Sequence, residues 1–322
     1  MTNMLEENTV YRPFSYEWAM ELANLSEESH WHQNEAEIQK DIEQWHTGLT
    51  KAEKGLIQNI LRMFTQGDVN VGGNYIEILS KFRNNEIRNM LLSFAAREGI
   101  HQRAYAFLTD TLGLPDSEFS AFLEYEEMSE KNEWMQKVDV SSYTGIAHTL
   151  AKMVFSEGVV LFASFIMLLN FGRQGKMLGM NNIVEWSIRD ESLHVEGNTR
   201  LFREFCAEHP RIVNDAFKKT IYDMARDVVA LEDKFIDLAF EVGGVEGISP
   251  EDVKNYIRYI TDRRLIQLGL KPEFGVKELE NTWIAEQLNA TAFGNFFEKR
   301  ITEYGKGGLE GELDWEEAIK FT

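Results

Sequence analysis

Arg97-Glu98-Gly99-Ile100-His101 and Asp190-Glu191-Ser192-Leu193-His194 are the two stretches on which the fold turns. Each sets a carboxylate three residues before an imidazole, in a region where apolar residues recur at intervals of three and four. Residues three apart on a helix share a face, so Glu98 with His101, and Glu191 with His194, converge on one point beside the backbone. Carboxylate oxygen and neutral imidazole nitrogen together suit first-row metals such as iron and manganese. A single E-x-x-H occurs by chance in an acidic helical chain; two copies on separate long helices are a much more specific signal.

Two metal ions need more ligands than these four side chains. A bundle that holds a metal pair takes two E-x-x-H helices plus one carboxylate from each of two other helices. Glu157 supplies one candidate, at the head of an apolar run in Met153-Val154-Phe155-Ser156-Glu157-Gly158. A carboxylate there is costly unless it is coordinated or paired, the plain alternative being a buried salt bridge. Asp68, in Phe64-Thr65-Gln66-Gly67-Asp68-Val69, is the other, although a capping or surface role is the commoner fate of an aspartate. Asp68 precedes Glu98 by 30 residues and Glu157 precedes Glu191 by 34, and each separation suits one antiparallel helical hairpin. Tyr105 lies four residues after His101, so its phenol projects from the same face; a core tyrosine with a satisfied hydroxyl is the alternative. Asp190 directly precedes Glu191 and faces elsewhere, where it can accept the outer N–H of a metal-bound histidine.

The punctuation around these segments is helical. Thr50 with Glu53 forms a capping-box pattern, and Ser249-Pro250-Glu251-Asp252 is a second helix start. Gly113-Leu114-Pro115 and His209-Pro210 are stops, and Gly243-Gly244 breaks the chain. The spacing predicts helices near 50–66 continuing to about 83, 85–112, 117–130, 142–171, 178–208, 211–241, 250–269 and 279–302. Glycines 305, 307, 308 and 311 among charges mark a flexible tail, whose acids, Trp315 and Phe321 read equally as a docking peptide or a frayed terminus.

Composition narrows the function. Of 322 residues, 53 are Asp or Glu and 33 are Lys or Arg, a net charge of -20 that disfavours direct contact with nucleic acid or an anionic membrane. The single Cys206 excludes an intramolecular disulfide and a cysteine-rich metal module. Gly158 to Leu169 is the longest near-continuous apolar run, short of the ~18–20 residues of a membrane span. No basic, apolar leader is visible at the start, and the expected setting is cytoplasmic.

Taken together, Phe64 to Val69, Glu98-Gly99-Ile100-His101-Gln102-Arg103-Ala104-Tyr105, Glu157 to Phe165 and Arg189 to His194 resemble, in order, the four metal-binding segments of the small, radical-generating subunit of class I ribonucleotide reductase. The resemblance spans roughly residues 12–305. It implies an all-α, ferritin-like helical bundle with extra helices and a dinuclear metal site in its core. It implies a single domain over 1–302 and a tail, 303–322, that docks a large subunit. Asp68, Glu98 and His101 would bind one metal and Glu157, Glu191 and His194 the other, with Glu98 and Glu191 bridging. An aspartate as first ligand is common in this family, whereas ferritins and most di-iron oxygenases use glutamate.

The same resemblance makes Tyr105 the tyrosine oxidised to a stable radical. Trp31, in His30-Trp31-His32, would relay that radical outward, and Asp190 would link Trp31 to His101. Tyr304 would hand it to the large catalytic subunit, where a ribonucleotide loses its 2′-hydroxyl. Leu161, Phe165 and Ser187 match three positions that are bulky and apolar in some members; the serine departs from that pattern and bears on the radical's lifetime. The implied cofactor is two metal ions, Fe/Fe, Mn/Mn or Mn/Fe, activated by oxygen or by superoxide from a flavoprotein activase. The implied assembly is a homodimer with the large subunit. One competing reading is a di-metal oxygenase or oxidase acting on a small organic substrate, which needs neither Trp31 nor Tyr304. A ferritin-type metal store is another, but the chain is about twice the length a minimal four-helix shell requires.

Overall fold

The computed structural model describes residues 3–281, 283, 284 and 286. Among them are eleven α-helices, and the only β-type pairing is the isolated bridge between Val245 and Ile248. Four long segments form the heart of the fold: α3 (Lys51–Leu79), α4 (Asn85–Thr111), α7 (Tyr143–Phe155) running on into α8 (Phe162–Arg173), and α9 (Leu178–Glu208). α3 pairs with α4, α9 packs on both α7 and α8, and α4–α9 and α3–α7 contacts close the bundle. Around it lie α1 (Glu17–Glu28) against α4 and α9, α2 (Gln39–Thr47) against α9, and α10 (Asp215–Ala239) and α11 (Pro250–Gln267) over α7 and α8.

The helix starts follow the expected chemistry. Thr50 Oγ1 accepts the Glu53 amide at 3.2 Å while Glu53 accepts the Thr50 amide at 2.7 Å. Ser249 and Asp252 make the same reciprocal pair at the head of α11. Each such cap contributes about 1 kcal/mol by satisfying amides the first turn leaves unpaired. α4 ends before Gly113, whose φ of +72° only glycine adopts without strain.

Three differences from the expected elements have local causes. The span 117–130 is broken: α5 (Glu118–Ala121) and a 3-10 turn lead to Tyr125, whose extended backbone (φ -110°, ψ 120°) interrupts the helix before α6 (Glu126–Gln136). α10 starts at Asp215 rather than 211, because Pro210–Ile212 forms a 3-10 turn and Asn214 then caps the helix. The span 142–171 is helical throughout but contains a π-turn, Ser156–Val160, between α7 and α8. Helices α1 and α2 are additional. The expected helix 279–302 lies mostly outside the described residues, as do Tyr304 and the tail 303–322.

Residues Tyr143–Arg173 together form a helical segment long and apolar enough to cross a membrane, but its most apolar stretch is buried completely inside the protein. It is the central strut of the bundle. Close approach at the core is local and sequence-encoded: a side chain at Gly197 on α9 would clash with the ring of Phe94 on α4.

Candidate metal centre

The six expected ligands come together. Asp68 reaches in from α3, Glu98 and His101 from α4, Glu157 from the π-turn, and Glu191 and His194 from α9. Two sets of ligand atoms each lie within 4.8 Å of one another: Asp68, Glu98, His101 and Glu191 in one, Glu98, Glu157, Glu191 and His194 in the other. Glu98 and Glu191 belong to both sets, so two adjacent positions share two carboxylates. His194 Nδ1 stands 2.8 Å from Glu157 Oε2 and 3.1 Å from Glu98 Oε1, and His101 Nδ1 stands 3.1 Å from Glu191 Oε1. All six side chains are at most 1 % exposed.

Four carboxylates at this depth are untenable without positive charge. No Lys or Arg among the described residues pairs with any of them. Both oxygens of Asp68, Glu98 and Glu191, and Nδ1 of His101 and His194, find no hydrogen-bond partner among the described residues. The titration directions agree. Burial and neighbouring carboxylates hold Asp68 well above its ordinary value. Burial pushes Glu157 up to about 8, with Glu191 and Glu98 adding and His194 opposing. Burial presses both imidazoles down, yet the facing carboxylates prevail and hold His101 and His194 well above the usual histidine range. The facing carboxylates thus call for positive charge, which two divalent cations would supply. The donor set fits a dinuclear carboxylate–histidine centre.

Glu157 itself lies in the π-turn. That turn inserts an extra residue in the helix, and its Gly158 carbonyl accepts a bond from Arg264 Nε of α11 at 3.1 Å. A Cβ at position 158 would lie 2.4 Å from Arg264 Nε, so any side chain there would push that guanidinium aside. Such single-turn π-bulges are frequent at functional sites.

Beyond these six side chains, Asp190 touches two of the residues singled out from the sequence, Trp31 and His101. Its Oδ2 accepts the Trp31 indole N–H at 2.7 Å and lies 3.3 Å from His101 Nε2. That contact assigns the proton to Nε2 and leaves Nδ1 facing the cluster. Arg97 Nε stands 3.7 Å from the same oxygen. Trp31 is 2 % exposed and its ring lies 5.2 Å from that of Trp186. Tyr105 is buried, packed 4.5 Å from the Phe64 ring, and donates to Ser187 Oγ at 2.8 Å. Ser187, singled out for departing from an apolar pattern, is therefore the partner of the phenol. Burial, with the Asp68 charge adding, holds that phenol well above its ordinary value.

Four residues near the centre carry no obvious motif: Tyr75, Asn198, Arg264 and Trp186. Tyr75 Oη lies 2.8 Å from both oxygens of Glu157, and Asn198 Nδ2 donates to Tyr75 Oη and to Glu157 Oε1. The signal available in the sequence is spacing: Tyr75 follows Asp68 by seven residues and Asn198 follows His194 by four.

The ribonucleotide reductase small chain family matches residues 8–282. A probable ribonucleoside-diphosphate reductase small subunit of Invertebrate iridescent virus 3 is 39% identical over 331 residues, covering 97% of this chain and 88% of the viral protein. A Bacillus halodurans structure described as a class I ribonucleotide reductase superposes with a TM-score of 0.79 at 22% identity, over 84% of this chain and 99% of that one. The Saccharomyces cerevisiae Rnr4 homodimer, at 19% identity, gives 0.75 over 94% and 92%. The two structural likenesses establish the shared ferritin-like bundle, and the sequence matches go further: the chain belongs to the ribonucleotide reductase small chain family, the small subunits of ribonucleoside-diphosphate reductase.

Proposed function

We propose that this chain is a radical-generating small subunit in which Asp68, Glu98 and His101 hold one metal ion and Glu157, Glu191 and His194 the other. The observation that carries the reading is the pair of overlapping four-ligand sets, with Glu98 and Glu191 common to both. When bound, the metal pair supplies the oxidising power, drawn from oxygen, that removes one electron from a nearby phenol. The chain does the rest. Asp190 fixes the tautomer of His101, and buried aromatics around Tyr105 exclude water. Tyr105 is the phenol to be oxidised, its proton held against Ser187 Oγ, which itself donates to the Ile183 carbonyl at 2.9 Å.

Trp31, joined to His101 through Asp190, is the outward relay, and Tyr304 in the tail is the exit toward the large subunit. The thiols that reduce the ribose belong to that partner. Cys206 is buried and its thiol is pushed by burial up to about 12, so it is inert. The yeast relative is described as a homodimer. The exposed Val69 and Ile76 of α3, two turns apart on one stripe, support a self-association surface here.

The test is to load the purified chain anaerobically with Fe(II), or with Mn(II), admit oxygen, and record the electron paramagnetic resonance spectrum beside that of Tyr105→Phe. A tyrosyl signal present in the native chain and lost in the variant is expected. Metal uptake with no protein radical under either loading, or with added superoxide, would instead favour a di-metal oxygenase.

A further inference from the structure

Tyr75 and Asn198 lie in neither E-x-x-H segment, yet they meet on Glu157. Two turns of α3 separate Tyr75 from Asp68, and one turn of α9 separates Asn198 from His194, so each projects from the same face as a ligand. Both are completely buried. Tyr75 Oη lies 2.8 Å from Glu157 Oε1 and 2.8 Å from Oε2, and its single proton is directed at the pair. The Asn198 amide donates one hydrogen to Tyr75 Oη at 2.8 Å and another to Glu157 Oε1 at 2.9 Å. Glu157 Oε1 thus takes the Asn198 amide and shares the one Tyr75 proton with Oε2, which also faces His194 Nδ1 at 2.8 Å, toward the cluster.

Glu157 has particular need of such a hold. The other three carboxylates rise from regular α-helix, whereas Glu157 rises from a π-turn. Rotating it away would strand two buried donors. The carboxylate of the other metal position has no such clamp: neither oxygen of Asp68 makes a hydrogen bond among the described residues, and the Tyr105 hydroxyl turns to Ser187.

We infer that Tyr75 and Asn198 are positioning residues that clamp the Glu157 carboxylate, Asn198 on Oε1 and Tyr75 across both oxygens, and so hold Oε2 toward the second metal position. The inference rests on the dinuclear reading above. It makes the two metal positions unequal: the second is preorganised by the clamp, the first is not.

The full chain is titrated anaerobically with Mn(II) by calorimetry, as native protein, Tyr75→Phe and Asn198→Leu, with Tyr105→Phe as a control whose hydroxyl touches no ligand. Electron paramagnetic resonance of the same samples separates isolated Mn(II) from coupled pairs. Outer-sphere partners of a metal ligand typically contribute 10–100-fold in affinity. The expected result is that one of the two binding steps weakens by about that factor in both variants. The other step stays native, and isolated Mn(II) replaces coupled pairs at intermediate loading. The control keeps both steps. Two unchanged steps in both variants overturn the inference. So do two steps weakened alike, which would mark the residues as merely structural. Failure of the native chain to take up two ions is a distinct outcome that overturns the dinuclear reading itself.

Discussion

Two phenols flank the buried carboxylates, one on each side, and their hydroxyls meet different groups. Tyr105 follows His101 by one turn, and its hydroxyl goes to the neutral Ser187 at 2.8 Å, touching no ligand. Tyr75 is drawn to Asn198, which follows His194 by one turn, and its hydroxyl lies against the Glu157 carboxylate. The outer imidazole nitrogens differ in the opposite sense. His101 Nε2 faces Asp190, whereas His194 Nε2 has no hydrogen-bond partner among the described residues. One side of the centre therefore supports its histidine and leaves its phenol free of the ligands. The other binds its phenol to a ligand and leaves its histidine unsupported. On the proposed reading, the tyrosine bonded to Glu157 serves to hold metal, and the one held by a neutral serine is the one to be oxidised.

The largest effect that can break this comparison is on the radical. Tyr105→Phe should lose the tyrosyl resonance and reduce ribonucleotide turnover with the large subunit to background, while Tyr75→Phe keeps the resonance. A signal that survives the first change and vanishes in the second would reverse the assignment. Next comes assembly: deleting residues 303–322 should abolish binding to the large subunit in sedimentation, with metal uptake intact. Asp190→Asn removes the charged acceptor shared by Trp31 and His101. It should weaken the first metal position about 10–100-fold by calorimetry, the complement of the Tyr75→Phe result. Arg264→Leu strands the Gly158 carbonyl and should cost about 1–3 kcal/mol in urea unfolding of the metal-free chain. Smallest, Ser187→Ala should shift the g-anisotropy of the Tyr105 signal, since the phenol loses its partner, at a stability cost of about 1 kcal/mol.

Much of the cluster can be read from the sequence because its six side chains, Asp68, Glu98, His101, Glu157, Glu191 and His194, are residue types whose burial demands an explanation. α9 is legible from Leu178 to Glu208 because Pro210 stops what the apolar spacing begins. The π-turn is not legible. An extra residue per turn alters the phase of the apolar pattern, and in a segment buried on every side there is no polar stripe to reveal the slip. Tyr75 and Asn198 escape for another reason. A buried tyrosine and a buried asparagine are ordinary core residues until their partner is known, and that partner is distant in sequence. α2 escapes because it is nine residues long and buries little beyond Asp41 and Trp45.

The apolar strut from Tyr143 to Arg173 has a consequence for how the chain is made. Of the helices that cover it, α9, α10 and α11 all follow it in the sequence, the last ending at Gln267. At a synthesis rate of about 5–20 residues per second, the ribosome extends the chain for about 5–20 seconds between releasing the strut and releasing its final cover. Through that interval a segment fit for a bilayer stands partly naked in water. A chaperone that shelters residues 143–173 during synthesis would therefore act before α9 brings Glu191 and His194 to the cluster.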